Sequence, residues 1–150
     1  EKKPNIQLHM IGGLQTNKVK YAVKLFDYIH SVDSEKLAKK IADEQLKIDR
    51  NIKIFIQVNI GNEDQKFGIN KNEIKKLVDY CKGLKLNIVG LMCIPPVGID
   101  PLNYFNEMSK INHAYGFTEL SMGMSADYLD AVKTNSTYLR IGSNIFGQRS

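Results

Sequence analysis

Apolar residues recur along the chain as short continuous runs, and between the runs they thin out to intervals of three and four. Continuous runs predict strands buried on both faces, and the spaced stretches predict amphipathic helices. The strongest run is Ile52-Lys53-Ile54-Phe55-Ile56-Gln57-Val58-Asn59-Ile60, β-branched and nearly unbroken. Shorter runs predict strands at 6–11, 28–32, 86–94, 118–122 and 137–141. Gly12-Gly13 closes the first, and Pro95-Pro96 closes the run at 86–94, where a missing N–H ends the ladder.

Helices are predicted between the strands. Val19, Val23 and Phe26 mark the first; Asp33 or Ser34 caps a second that carries Leu37, Ile41 and Leu46 on one face to about Asp49. After a polar loop at 61–68, Ile74, Leu77 and Val78 place a third over 70–81. A fourth runs over 101–115 with a proline in its first turn, where no N–H is needed, and a fifth over 126–134. Residues 144–146 hold at most one turn.

Strand then helix, repeated six times, predicts βαβ units and a parallel sheet. An open doubly wound sheet usually carries its signature glycines after the first strand, but here the glycine- and serine-rich strand ends come last, which suits an α/β (β/α)8 TIM-type barrel. A closed barrel needs eight strands. The expectation is therefore an incomplete barrel of about six β/α units, the first two missing, each of roughly 30 residues. The 150 residues fit one domain, 1–150, and Glu1 in first place gives the expectation that the chain begins inside a longer one.

The last strand ends carry the candidate chemistry. Leu120-Ser121-Met122-Gly123-Met124-Ser125 and Leu139-Arg140-Ile141-Gly142-Ser143-Asn144-Ile145-Phe146-Gly147 both stop in small residues that let backbone N–H groups approach an anion. The second also carries an arginine. Parallel barrels often build a phosphate site from the loops after strands seven and eight and the N-terminus of a short extra helix, so the two segments are read together as a phosphate cup.

Composition removes other classes. With 43% apolar and 25% charged residues the chain is an ordinary globular one, and its formal charge of +5 suits a phosphorylated small molecule, nucleic acid or an anionic surface. The lysines are scattered over predicted solvated helix faces at 35–47 and 71–82 with no basic stripe of interleaved aromatics, so no nucleic-acid partner is expected. No apolar stretch approaches the roughly 20 residues of a membrane helix, and no membrane partner is expected. Cys81 and Cys93 lack metal-ligand or CxxC spacing, which makes a reducing cytoplasm the default location. His9 and His30 fall on predicted strands with no third ligand or carboxylate to complete a metal site, and read as hydrogen-bonded structural residues. Met92, Met122 and Met124 read as core or cup lining, and Lys66 as a solvated loop lysine.

The segments His9-Met10-Ile11-Gly12-Gly13-Leu14-Gln15-Thr16-Asn17-Lys18, Ile29-His30-Ser31-Val32-Asp33-Ser34, Gln57-Val58-Asn59-Ile60, Lys66-Phe67-Gly68-Ile69 and Gly90-Leu91-Met92-Cys93-Ile94-Pro95, with those at 120–125 and 140–149, resemble the pyridoxal phosphate homeostasis protein family from about residue 8 to 149. That resemblance implies the alanine racemase N-terminal barrel holding pyridoxal 5'-phosphate (PLP) at its mouth, in single-domain cytoplasmic proteins without established catalytic turnover. By position it implies Ser121 and Ser125 at the phosphate, the amides of Gly142 and Ser143 completing the cradle, and Arg140 facing the pyridine nitrogen. No catalytic or metal-binding residue is implied. A guanidinium does not give up its proton, so the ring nitrogen beside it stays an unprotonated acceptor and the ring a weak electron sink.

The family's cofactor lysine lies on a first strand absent from this chain, so no Schiff-base residue is assigned. Gly13, Ala126 and Ser143 depart from residues usual in the family. The expected ligand is PLP, or a phosphate- or sulfate-like anion. A PLP-dependent racemase of the alanine racemase type is the alternative, disfavoured because its second base comes from an additional C-terminal domain. A third reading is an interaction module whose open sheet edges, at 7–11 and 137–141, pair with a partner or with a second copy.

Overall fold

The computed structural model describes residues 5–64 and 67–147; Lys66, Arg149 and the other residues of the motifs above that fall outside those ranges are not described. Six strands form one parallel sheet in chain order: β1 (His9–Met10), β2 (Tyr28–Val32), β3 (Lys53–Val58), β4 (Asn87–Cys93), β5 (Glu119–Met124) and β6 (Tyr138–Arg140). The helices are α1 (Val19–Leu25), α2 (Glu35–Leu46), α3 (Ile74–Gly83), α4 (Leu102–Ala114), α5 (Tyr128–Lys133) and the single turn α6 (Ser143–Phe146). Chain-order pairing of parallel strands with a helix after each is the wall of a β/α barrel, open between β1 and β6 among the described residues. The wall curls far enough that the rings of His9 on β1 and Tyr138 on β6 have centroids 5.3 Å apart.

Alternation along each strand divides the core in two. Ile29, Ile54, Ile56, Val58, Leu91, Leu120 and Met122 pack outward under the helices, against Leu37, Ile41, Leu77, Phe105 and their neighbours. Tyr28, Phe55 and Met92 pack inward with Tyr138. Strands covered on both faces explain why the sequence shows continuous apolar runs rather than alternation. Gly90 leaves room for this inner packing: a Cβ there would lie 1.8 Å from the Glu119 carbonyl oxygen and 3.1 Å from the Phe55 ring.

Three expectations change at element level. The first strand covers two residues rather than six, as it has one neighbour to pair with among the described residues. The fifth runs on through Gly123 to Met124 instead of ending at Met122. Leu46 is 81% exposed, not on the buried face with Leu37 and Ile41. At about 100° per residue, nine positions after Leu37 is the opposite side of the helix, and the last turn's buried positions, back on the Leu37 side, are Glu44 and Gln45. Gln45 uses its Oε1 to accept the Ile52 N–H at 3.0 Å, which ties α2 to the start of β3. The cap of α2 is Ser34, whose Oγ accepts the Leu37 N–H at 3.2 Å.

Candidate functional site

The two glycine- and serine-rich segments meet at the C-terminal ends of β5 and β6. Gly123 takes φ +97°, and a Cβ there would lie 2.6 Å from the Ala131 Cβ and 2.9 Å from Leu139 Cδ2, so the position needs glycine for both backbone and space. Next, Met124 N–H donates to Asp127 Oδ1 at 2.6 Å and Asp127 N–H returns to the Met124 carbonyl at 3.1 Å. This turn lays Ser125 across the start of α6. Its Oγ accepts long hydrogen bonds from the N–H groups of Gly142 (3.2 Å) and Asn144 (3.4 Å), while Asn144 Nδ2 donates to the Ser125 carbonyl at 2.9 Å. Amides that open a helix have no intrahelical acceptor, and here a serine hydroxyl stands where an anion's oxygen would.

Below that cradle, Arg140 is held in the barrel interior. Its Nη1 donates to Ser121 Oγ at 2.7 Å and its Nη2 to the Cys93 carbonyl at 2.9 Å. Both acceptors are neutral. Burial lowers the arginine's pKa from its usual value, opposed by the Cys93 thiol and Asp127. A half-buried guanidinium bonded to neutral acceptors keeps attraction for an electron-rich partner. Ser121 in turn stands 2.8 Å from His30 Nδ1, and His30 Nε2 stands 2.8 Å from His9 Nδ1. His30 is held neutral, its pKa lowered to about 3 by burial first and then by His9 and Arg140.

The predicted site residues thus divide. Ser125 and Gly142 come together directly, and Ser143, exposed, opens α6 beside them. Arg140 lies on the adjoining strand. Ser121, expected at the phosphate, is fully buried and bonded to Arg140 and His30 instead. Strand alternation accounts for this: Ser121 lies inside β5 on the inward face, whereas Ser125 lies one residue past the strand end. Sequence reasoning missed Asn144 as the second amide donor and the Cys93 carbonyl as the second anchor of the arginine. The first had a signal, a polar residue in the opening turn of the last helix; a backbone carbonyl has none. Among the described residues no group of three or more His, Cys, Asp or Glu could hold a metal ion, and no helix is long and apolar enough to cross a membrane.

The model of the alanine racemase N-terminal domain matches residues 1–150. Pyridoxal phosphate homeostasis proteins of Aquifex aeolicus and of Synechocystis sp. PCC 6803 are 35% and 37% identical to the chain; each match takes in 97% of it and, respectively, 68% and 71% of the relative. PipY of Synechococcus elongatus PCC7942, solved with PLP bound, is 32% identical with a TM-score of 0.88, over 96% of this chain and 72% of PipY. Alanine racemase of Clostridium difficile 630 shares the fold, with a TM-score of 0.73 at 15% identity over 97% of this chain and 41% of the racemase. The parallel barrel wall is that of the alanine racemase N-terminal domain class. Within the class, the chain belongs to the pyridoxal phosphate homeostasis protein family.

Proposed function

We propose that this chain supplies the phosphate cradle and the ring-facing arginine of a PLP-binding homeostasis protein that carries no fast catalytic turnover. The observation that carries the reading is the juxtaposition at one strand-end cluster of Ser125, the Gly142 and Asn144 amides, and a half-buried Arg140 bonded to neutral groups. This donor set fits PLP, an anion at one end and a heteroaromatic nitrogen at the other. The PLP complex of PipY supports it. Ser125, Gly142 and Ser143 are assigned to the phosphate, with Asn144 added. Ser121 is assigned to Arg140.

When bound, PLP supplies an aldehyde and an electron-withdrawing ring. Arg140 keeps its proton, so a ring nitrogen facing it accepts a hydrogen bond without becoming protonated, and carbanion chemistry is poorly supported. Storage and delivery of the cofactor follow from that more readily than turnover. The buried free thiols Cys81 and Cys93 suit a reducing cytoplasm.

Calorimetric titration with PLP and with inorganic phosphate tests the assignment. PLP is expected to bind more tightly than phosphate. Ser125→Asp, which sets a carboxylate against the Gly142 and Asn144 amides, is expected to abolish both. Arg140→Gln is expected to weaken PLP by about tenfold or more, the scale of a charge-assisted hydrogen bond, while leaving phosphate close to wild type. Equal PLP affinity in wild type and Arg140→Gln overturns the ring contact, and amino-acid racemisation on the order of 1–1,000 per second overturns the non-catalytic reading.

A further inference from the structure

We propose that His9, His30 and Ser121 form a one-way hydrogen-bonded chain ending on Arg140, which makes the two histidines positioning residues for the cofactor's ring nitrogen. The inference rests on the PLP reading above and deepens it.

Arg140 can only donate, so its 2.7 Å contact takes one lone pair of Ser121 Oγ. The hydroxyl has one proton left to place. Ser121 is fully buried, and among the described residues the remaining partner of its Oγ is His30 Nδ1 at 2.8 Å. Were that nitrogen protonated, the serine proton would be left in a buried site without an acceptor, which native structures avoid. Ser121 therefore donates to His30 Nδ1. A neutral His30 then carries its proton on Nε2 and donates it to His9 Nδ1, 2.8 Å away, and His9 carries its own proton on Nε2.

Direction runs from the guanidinium outward, and each bond polarises the next. The rings are clamped as well as bonded. His30 stacks on Phe55 with centroids 4.3 Å apart, and His9 lies on Tyr28 at 4.2 Å and 8° from parallel. The His30 imidazole cannot swing to offer Ser121 its Nε2 without breaking its stack on Phe55 and its bond to His9. With Ser121 fixed, Arg140 is anchored at Nη1 by the chain and at Nη2 by the Cys93 carbonyl, and its guanidinium plane is set before any ligand arrives.

A pair of histidines that merely filled the barrel would tolerate any ring of similar size. The chain makes a different demand: an acceptor for Ser121 at the Nδ1 position of His30. His30→Phe removes that acceptor. His30→Asn restores it, with its Oδ1 close to the place of Nδ1, though it cannot reach His9.

Two measurements on the full-length protein test this. Imidazole ¹⁵N spectra without ligand are expected to show His30 and His9 both neutral with the proton on Nε2; a protonated His30 Nδ1 overturns the chain. In PLP titrations followed by absorbance of the bound cofactor, His30→Phe and Ser121→Ala are expected to weaken PLP about tenfold and shift its band. His30→Asn is expected to recover most of that loss, and all three to bind inorganic phosphate like wild type. His30→Phe with wild-type affinity and band overturns the inference while leaving the PLP reading intact. A wild type that binds phosphate but not PLP overturns both.

Discussion

Protonating His30 would place a second positive charge two hydrogen bonds from Arg140, in a site already closed to water. Burial, His9 and Arg140 hold its pKa near 3, below the ordinary 6.5, so the unfolded chain binds a proton that the native one refuses. The stability this represents is fully present above about pH 6.5 and is lost as pH falls toward 3, at up to about 1.4 kcal/mol per pH unit. Urea unfolding between pH 6.5 and 5, above most carboxylate titrations, is expected to show a falling midpoint in wild type and a flatter profile in His30→Asn. The thiols report on burial in the same way. Those of Cys81 and Cys93 are both pushed up to about 12 by desolvation, so alkylation at pH 8 is expected to be negligible in the native protein and to modify both on denaturation.

At the scale of elements, the faces of α2 and the approach of β4 to β5 make separate demands. Ile41 is fully buried and Leu46 largely exposed on the same helix. Ile41→Ala is expected to cost about 2–5 kcal/mol, and Leu46→Glu less than about 0.5 kcal/mol, by chemical denaturation. Gly90 admits no side chain: its Cβ would overlap the Glu119 carbonyl, which is backbone and cannot give way. Gly90→Ala is expected to cost more than about 3 kcal/mol or to abolish folding, read as loss of the cooperative transition. The strand and helix order was legible in the chain because each apolar run is long enough to span a buried strand. The face of α2 was misread because Leu46 fits an apolar count but not the angle.

For the whole molecule, the open sides of the sheet are the main liability. β1 and β6 each pair on one side only among the described residues, and exposed apolar side chains flank both: Ile6, Leu8 and Ile11 at one, Leu139, Ile145 and Phe146 at the other. Unpaired edges of this kind template association. The 150-residue chain by itself is expected to associate reversibly at tens of micromolar and to bind a hydrophobic dye; a monodisperse monomer by sedimentation, with a sharp thermal transition, would contradict this.

Local chemistry pointed to the two strand-end segments that the structure brings together. Small residues and an arginine at two strand ends permit close backbone approach and suit an anion, and they could be read without knowing where the strands lie in space. Which serine faces the cradle and which faces Arg140 depended on strand alternation and on where β5 ends. The contact between His30 and Ser121 spans 91 positions of sequence; no pattern of spacing encodes it. It exists because six parallel strands curl and bring their inward side chains to a common axis, and that curl is a property of the packed sheet, not of any segment of the chain.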